Sequence, residues 1–146
     1  SFDRNFYAID TETGTMRHLF KAGSWFWSGV ATNGEMLFIP NMDGKLYALN
    51  LATESVEWEF DTDGAILASP TLVGDQVVIA SDSEQLYVVD TRTGLESWSR
   101  QLTGKVRAPL TSRGSVVYLS TLDHKVEAID VAVGRAHWTE PASTKR

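Results

Sequence analysis

The sequence contains no cysteine, which excludes a disulfide framework, a thiolate nucleophile and a sulfur-ligated zinc site. Histidine is scarce, and His18, His124 and His137 share no spacing that a metal site would need. No apolar run approaches the roughly 20 residues that cross a bilayer as a helix. The opening Ser1 to Asp10 has neither the basic start nor the apolar stretch of a signal peptide, so any targeting segment is expected outside this sequence. Positive charge is outweighed: 13 Lys and Arg against 19 Asp and Glu leave a net charge of -6, no footprint for a phosphate backbone. Neither nucleic acid nor direct membrane insertion is expected. What is present, 146 residues of which 42% are hydrophobic, suffices for one domain with a sizeable core.

The dominant feature is an internal repeat. Tyr7-Ala8-Ile9-Asp10 recurs as Tyr47-Ala48-Leu49-Asn50, Tyr87-Val88-Val89-Asp90 and Glu127-Ala128-Ile129-Asp130, each copy 40 residues after the last without a gap. Four residues beyond the acidic position stand Gly14, Glu54, Gly94 and Gly134, and four further on His18, Trp58, Trp98 and Trp138. Gly34, Gly74 and Gly114 hold a third register. A fixed period of this length marks stacked supersecondary units.

Each unit reads as four short strands; in one copy they span about residues 66–72, 76–80, 85–90 and 96–102. The second strand is apolar on both faces, as in Val77-Val78-Ile79, and must be covered on both sides. The fourth alternates, with Val56, Trp58 and Phe60 on one side and Glu57 and Glu59 on the other, as an outer strand with one wet face does. Pro70 and Pro109 fall in the first strand, where a missing N–H is tolerable at a sheet edge. Asp90-Thr91-Arg92-Thr93-Gly94 has the chemistry of a hairpin turn between strands three and four. β-Branched runs and frequent glycines argue against a helical repeat. A four-stranded sheet of this size cannot bury two apolar faces alone, so it stacks on near-copies of itself, and one large aromatic per unit fills the wedge between them.

The pattern Ala-x-Asp-x-x-x-Gly-x-x-x-Trp, complete from Ala128 to Trp138 and nearly so from Val88 to Trp98, is similar to the tryptophan-docking motif of PQQ-like β-propeller repeats. The resemblance covers essentially the whole chain and implies an all-β fold, a segment of about three and a half four-stranded antiparallel blades. Its docking residues are Trp58, Trp98 and Trp138 with Asp10, Asp90, Asp130, Gly14, Gly94 and Gly134. A looser turn is expected at Asn50 and Glu54, and a weaker dock at His18, which is placed in the tryptophan column; His124 and His137 are expected in water. Residues 1–23 read as the outer two strands of a partial blade, 24–62, 63–102 and 103–140 as whole blades, and 141–146 as a polar tail. The resemblance implies rings of seven or eight blades, so the chain is expected to be a fragment of a longer protein; association of partial rings through exposed blade faces is the alternative.

In this strand order, the loop entering the first strand and the loop joining strands two and three share one face of the disc. Trp25-Phe26-Trp27 occupies the phase of Ala65-Ile66-Leu67 and Lys105-Val106-Arg107. The middle residue is apolar in every copy and belongs to the core; Trp25, Trp27, Lys105 and Arg107 form the candidate binding patch, an amphipathic surface suited to a peptide, a sugar or an aromatic ligand. Asp61-Thr62-Asp63-Gly64 opens like a calcium loop, but Leu72 stands where the closing Glu belongs, so a solvated turn is expected. No catalytic or metal-ligating set is discernible. Similar repeats serve quinoprotein dehydrogenases, the propeller lipoprotein of the outer-membrane β-barrel assembly machinery, and extracytoplasmic sensor domains of receptors or kinases. The expectation is a non-catalytic protein- or peptide-binding scaffold outside the cytoplasm, without a cofactor; PQQ with calcium enters only under the enzymatic alternative.

Overall fold

In a computed structural model that describes residues 1–142, the 40-residue period becomes sheets of fixed order. β1 (Asn5–Ile9) and β2 (Met16–Lys21) form a two-stranded hairpin. β3 (Ala31–Thr32), β4 (Met36–Pro40), β5 (Lys45–Asn50) and β6 (Ser55–Asp61) make the second sheet. β7 (Thr71–Val73), β8 (Gln76–Ser81), β9 (Gln85–Asp90) and β10 (Glu96–Gln101) make the third, and β11 (Thr111–Arg113), β12 (Val116–Ser120), β13 (Lys125–Asp130) and β14 (Arg135–Pro141) the fourth. Strands pair antiparallel in chain order, with the first and fourth at the edges. This is an arc of β-propeller blades, not a closed ring.

The core lies between sheets. Val77 and Ile79 of β8 face the second blade, packing with Phe38 and Ala48, while Val78 and Ala80 of the same strand face the fourth, packing with Val117 and Ile129. A third cluster joins Phe6 and Phe20 of the first hairpin to Ile39, Tyr47 and Leu49 of the second blade. Alternate residues of one strand thus serve two junctions, as a strand apolar on both faces requires.

The first strands are shorter than expected. β7 starts at Thr71, and the stretch before it, though Ile66 and Ala68 are fully buried, is not strand. Its backbone groups bond elsewhere: Ile66 N donates to Asn41 O at 3.1 Å, and Ala65 O accepts Asp82 N at 2.8 Å. Pro70 and Pro109 therefore precede β7 and β11 instead of lying in them, outside the ladder where a missing N–H costs nothing.

Trp58 and Trp98 dock on the blade that follows. A β-bulge leaves Glu57 unpaired beside Trp58, opposite Ala48, and Ser97 in the same way beside Trp98. Trp58 Nε1 donates to Thr91 O at 3.2 Å, and its ring lies so close to Gly94 (φ 69°) that a Cβ there would stand 2.7 Å from the indole. Trp98 Nε1 donates to Val131 O at 2.9 Å over Gly134, where a Cβ would meet the ring at an ordinary 3.5 Å. The receiving turns are fixed by their acidic residue: Asp90 Oδ1 accepts Arg92 N at 3.0 Å and Thr93 N at 2.9 Å, and Asp10 and Asp130 act alike. The turn at Asn50 is not looser. Asn50 Oδ1 accepts Ala52 N at 2.8 Å and Thr53 N at 3.2 Å, and Glu54 takes the glycine conformation at φ 55°.

His18 does not dock. In the first hairpin the bulge falls at Leu19, and His18 is exposed with Nε2 3.1 Å from Asn5 Oδ1; Arg17 instead pairs with Glu54. His124 and His137 are exposed as expected. Trp138 is 44% exposed beside Tyr118, and nothing lies within 4 Å of a Cβ placed on Gly14.

Tyrosines of the third strands hold the loops that enter the second and third blades. Tyr47 Oη donates to Asp43 at 2.6 Å, and Asp43 also accepts Gly23 N at 2.9 Å. Tyr87 Oη donates to Asp63 at 2.7 Å, with Ser81 Oγ adding a second bond at 2.8 Å. Burial alone would raise the Asp63 pKa, but the bonds from Tyr87 and Ser81 outweigh it and hold the carboxyl below its usual range. Burial, then the bond to Asp63, pushes the Tyr87 phenol up to about 12.

Three outcomes follow from this architecture. Trp98→Ala is expected to lose about 3 kcal/mol in chemical denaturation and Trp138→Ala distinctly less; an unchanged midpoint for Trp98→Ala would rule out docking. Gly14→Ala, Gly94→Ala and Gly134→Ala share the cost of a left-handed residue, about 1–2 kcal/mol, so the excess loss at Gly94 reads the clash with Trp58; equal losses would show that the indole moves aside. Asp63, with its lowered pKa, gives stability that is present above about pH 4 and lost as pH falls. Tyr87, with its raised pKa, gives stability that is present below about pH 10 and lost as pH rises. The midpoint difference between the native chain and Tyr87→Phe should therefore be largest between these limits and shrink on both flanks.

Candidate binding face

One face of the arc is built by two kinds of loop locked together within each blade. Met42 N donates to Trp25 O at 3.1 Å, Asp82 N to Ala65 O at 2.8 Å and Leu122 N to Lys105 O at 2.8 Å. The central residue of each entering triplet anchors it: Ile66 and Val106 are fully buried, and Phe26 packs against Phe6 and Phe20. The residues on either side are thereby turned outward, as their failure to follow the apolar rule suggests.

These outward residues bracket the loop of the preceding blade. Trp25 and Trp27 flank Phe2, with ring centroids 5.1 and 6.1 Å apart in edge-on geometry. Lys105 and Arg107 flank Asp82, with Lys105 Nζ at 2.9 Å and the Arg107 guanidinium at 3.3 Å. Phe2 and Asp82 lie 80 residues apart, two repeats, so the same bracket is aromatic at the first junction and ionic at the third. At the second junction the equivalent residues are Met42, Ala65 and Leu67. Burial would raise the Asp82 pKa, but the bond from Lys105 and the charge of Arg107 hold it below the ordinary range.

The four candidate residues are thus two pairs, each tied to its own partner. The aromatic bracket stays open: Phe2 is 65%, Trp25 45% and Trp27 60% exposed. The ionic bracket places two cations on one carboxylate and so keeps a net positive charge at the surface. Leu122, 54% exposed, and Phe2 belong to the same face and escaped the sequence reading. Their shared phase with Met42 and Asp82 was the available signal.

Among the described residues no three His, Cys, Asp or Glu side chains converge on a metal-sized space. Asp61 pairs with Lys45 at 3.2 Å, Asp63 is held by Tyr87 and Ser81, and Asp10 and Asp90 bind turn amides. Each of these carboxylates is thus engaged in a structural bond.

The family described as outer membrane protein assembly factor BamB matches residues 5–146. No curated protein matches the sequence. Among solved structures, BamB from Moraxella catarrhalis superposes with a TM-score of 0.73 at 24% identity, over 84% of this chain and 38% of that one. The chain therefore spans little more than a third of that protein, and the likeness speaks for the fold. By the family match, which runs over nearly its whole length, the chain belongs to the BamB family of PQQ-like β-propellers.

Proposed function

We propose that the chain is part of a non-catalytic scaffold that binds protein or peptide segments outside the cytoplasm, in the cell envelope. The observation that carries this reading is the aromatic bracket of Phe2, Trp25 and Trp27, large rings left open to solvent on loops that a rigid blade junction holds in place. Exposed tryptophans in fixed positions are the residues on which protein interfaces concentrate their binding energy. The description of the family as an outer membrane assembly factor supports a protein partner and an envelope setting. No cofactor takes part in this reading. Trp25 and Trp27 supply an apolar contact, and Lys105 and Arg107, sharing Asp82, supply a cationic contact further along the arc.

The test is site-specific photo-crosslinking in cells, in the full-length protein that contains this chain. A crosslinker at Trp27 or Arg107 is expected to give adducts with an envelope protein, whereas one at Thr53, in a turn on the opposite face, gives none. Trp25→Ala with Trp27→Ala should reduce the adduct formed at Arg107 at least about tenfold. Absence of adducts at both positions, or equal labelling from Thr53, would overturn the reading.

A further inference from the structure

The junction between the third and fourth blades departs from the other two in its middle layer. On the fourth strands, Phe20, Phe60 and Arg100 hold one phase, paired with Phe6, Leu46 and Leu86 of their own sheets. On the third strands of the blades they face, Tyr47, Tyr87 and Glu127 hold another. The first two combinations are aromatic contacts, Phe20 to Tyr47 at 5.1 Å and Phe60 to Tyr87 at 5.5 Å. The third exchanges both rings for charges of opposite sign.

Glu127 is fully buried. Its Oε1 accepts Thr103 N at 3.0 Å and Thr103 Oγ1 at 2.8 Å, reversing the polarity of the Tyr87–Asp63 bond one repeat earlier. Its Oε2 has no hydrogen-bond partner among the described residues. A buried carboxylate oxygen left bare is strongly disfavoured, and a guanidinium is the group best suited to satisfy it. Arg100, half-buried on the facing strand, makes no ion pair among the described residues, and it stands to Glu127 in the phase in which Phe60 stands to Tyr87.

We propose that Arg100 is the counter-ion of Glu127, and that this pair makes the third junction selective for its own two blades. Near-identical sheets risk docking in the wrong order or on a second copy of the chain. An aromatic face such as that of Phe20 or Phe60, set against Glu127, would leave the carboxylate buried and uncompensated. Arg100 set against Tyr47 or Tyr87 would be stranded in the same way.

The experiment is a double-mutant cycle on the whole chain, read as thermal midpoints. Arg100→Met and Glu127→Gln should each lower the midpoint, and the two together should lower it no further than the worse of the pair; additive losses would overturn the counter-ion assignment. Should the single variants fail to fold, Arg100→Phe with Glu127→Tyr decides, because it rebuilds the aromatic contact of the other junctions. That variant is expected to fold with a midpoint at or above that of the native chain, and failure to fold would equally count against the pair. On refolding at matched concentration it should also yield a larger fraction of soluble oligomer than the native chain; an equal fraction would remove the claim of selectivity.

Discussion

Everything in this structure depends on sheets that are apolar on both faces. β8 is buried from Val77 to Ser81, and its neighbours in the same sheet offer no cover, because they lie beside it and not above it. The only available cover is another sheet of the same width. Stability is then a property of junctions, shared between nearest neighbours along the arc, as in other repeat architectures. The three hydrophobic clusters fall at the three junctions for this reason.

Each junction is layered. At the rim on one face, entering-loop residues bracket the loop of the preceding blade at the first and third junctions; in the middle, a fourth-strand phenylalanine meets a third-strand tyrosine at the first and second; toward the opposite face, an indole lies on a turn at the second and third. The apolar ladder between these layers carries most of the burial, so the rim can change chemistry from aromatic to ionic without altering the backbone. That freedom lets a repeat fold acquire specific surfaces: the scaffold is specified by the period, and the surface by departures from it.

The period, the third and fourth strands and the turn chemistry were legible because they are local and ungapped; the strand expected over 85–90 is β9 itself. The first strand was not. Ile66 and Ala68 are as deeply buried as any strand residue, and burial reads the same in sequence whether the backbone bonds to a ladder or, as here, to the loops of two blades. The positive φ of Glu54 was hidden because a non-glycine residue can adopt it at a modest cost. The candidate face was legible in part: phase placed Trp25, Trp27, Lys105 and Arg107 on one face, but phase does not show that the two pairs close on separate partners, Phe2 at the first junction and Asp82 at the third.

Departures from a repeat divide into those that the surrounding structure compensates and those that it does not. Asn50 keeps the amide contacts of the aspartates it replaces, and Glu54 keeps the glycine backbone and gains Arg17 as a partner. Glu127 exchanges roles with Thr103, so that the acceptor moves from the loop to the strand. Such substitutions maintain the junction and carry no message about ligands. Trp25 and Trp27 are different in kind, since the alanine and leucine at the same phase one repeat later show that no ring is needed to close the junction, and their area remains open to water. Two large aromatics that the fold neither requires nor hides add exposed apolar surface at a solubility cost, and under the proposed function they are the surface on which a partner would rest.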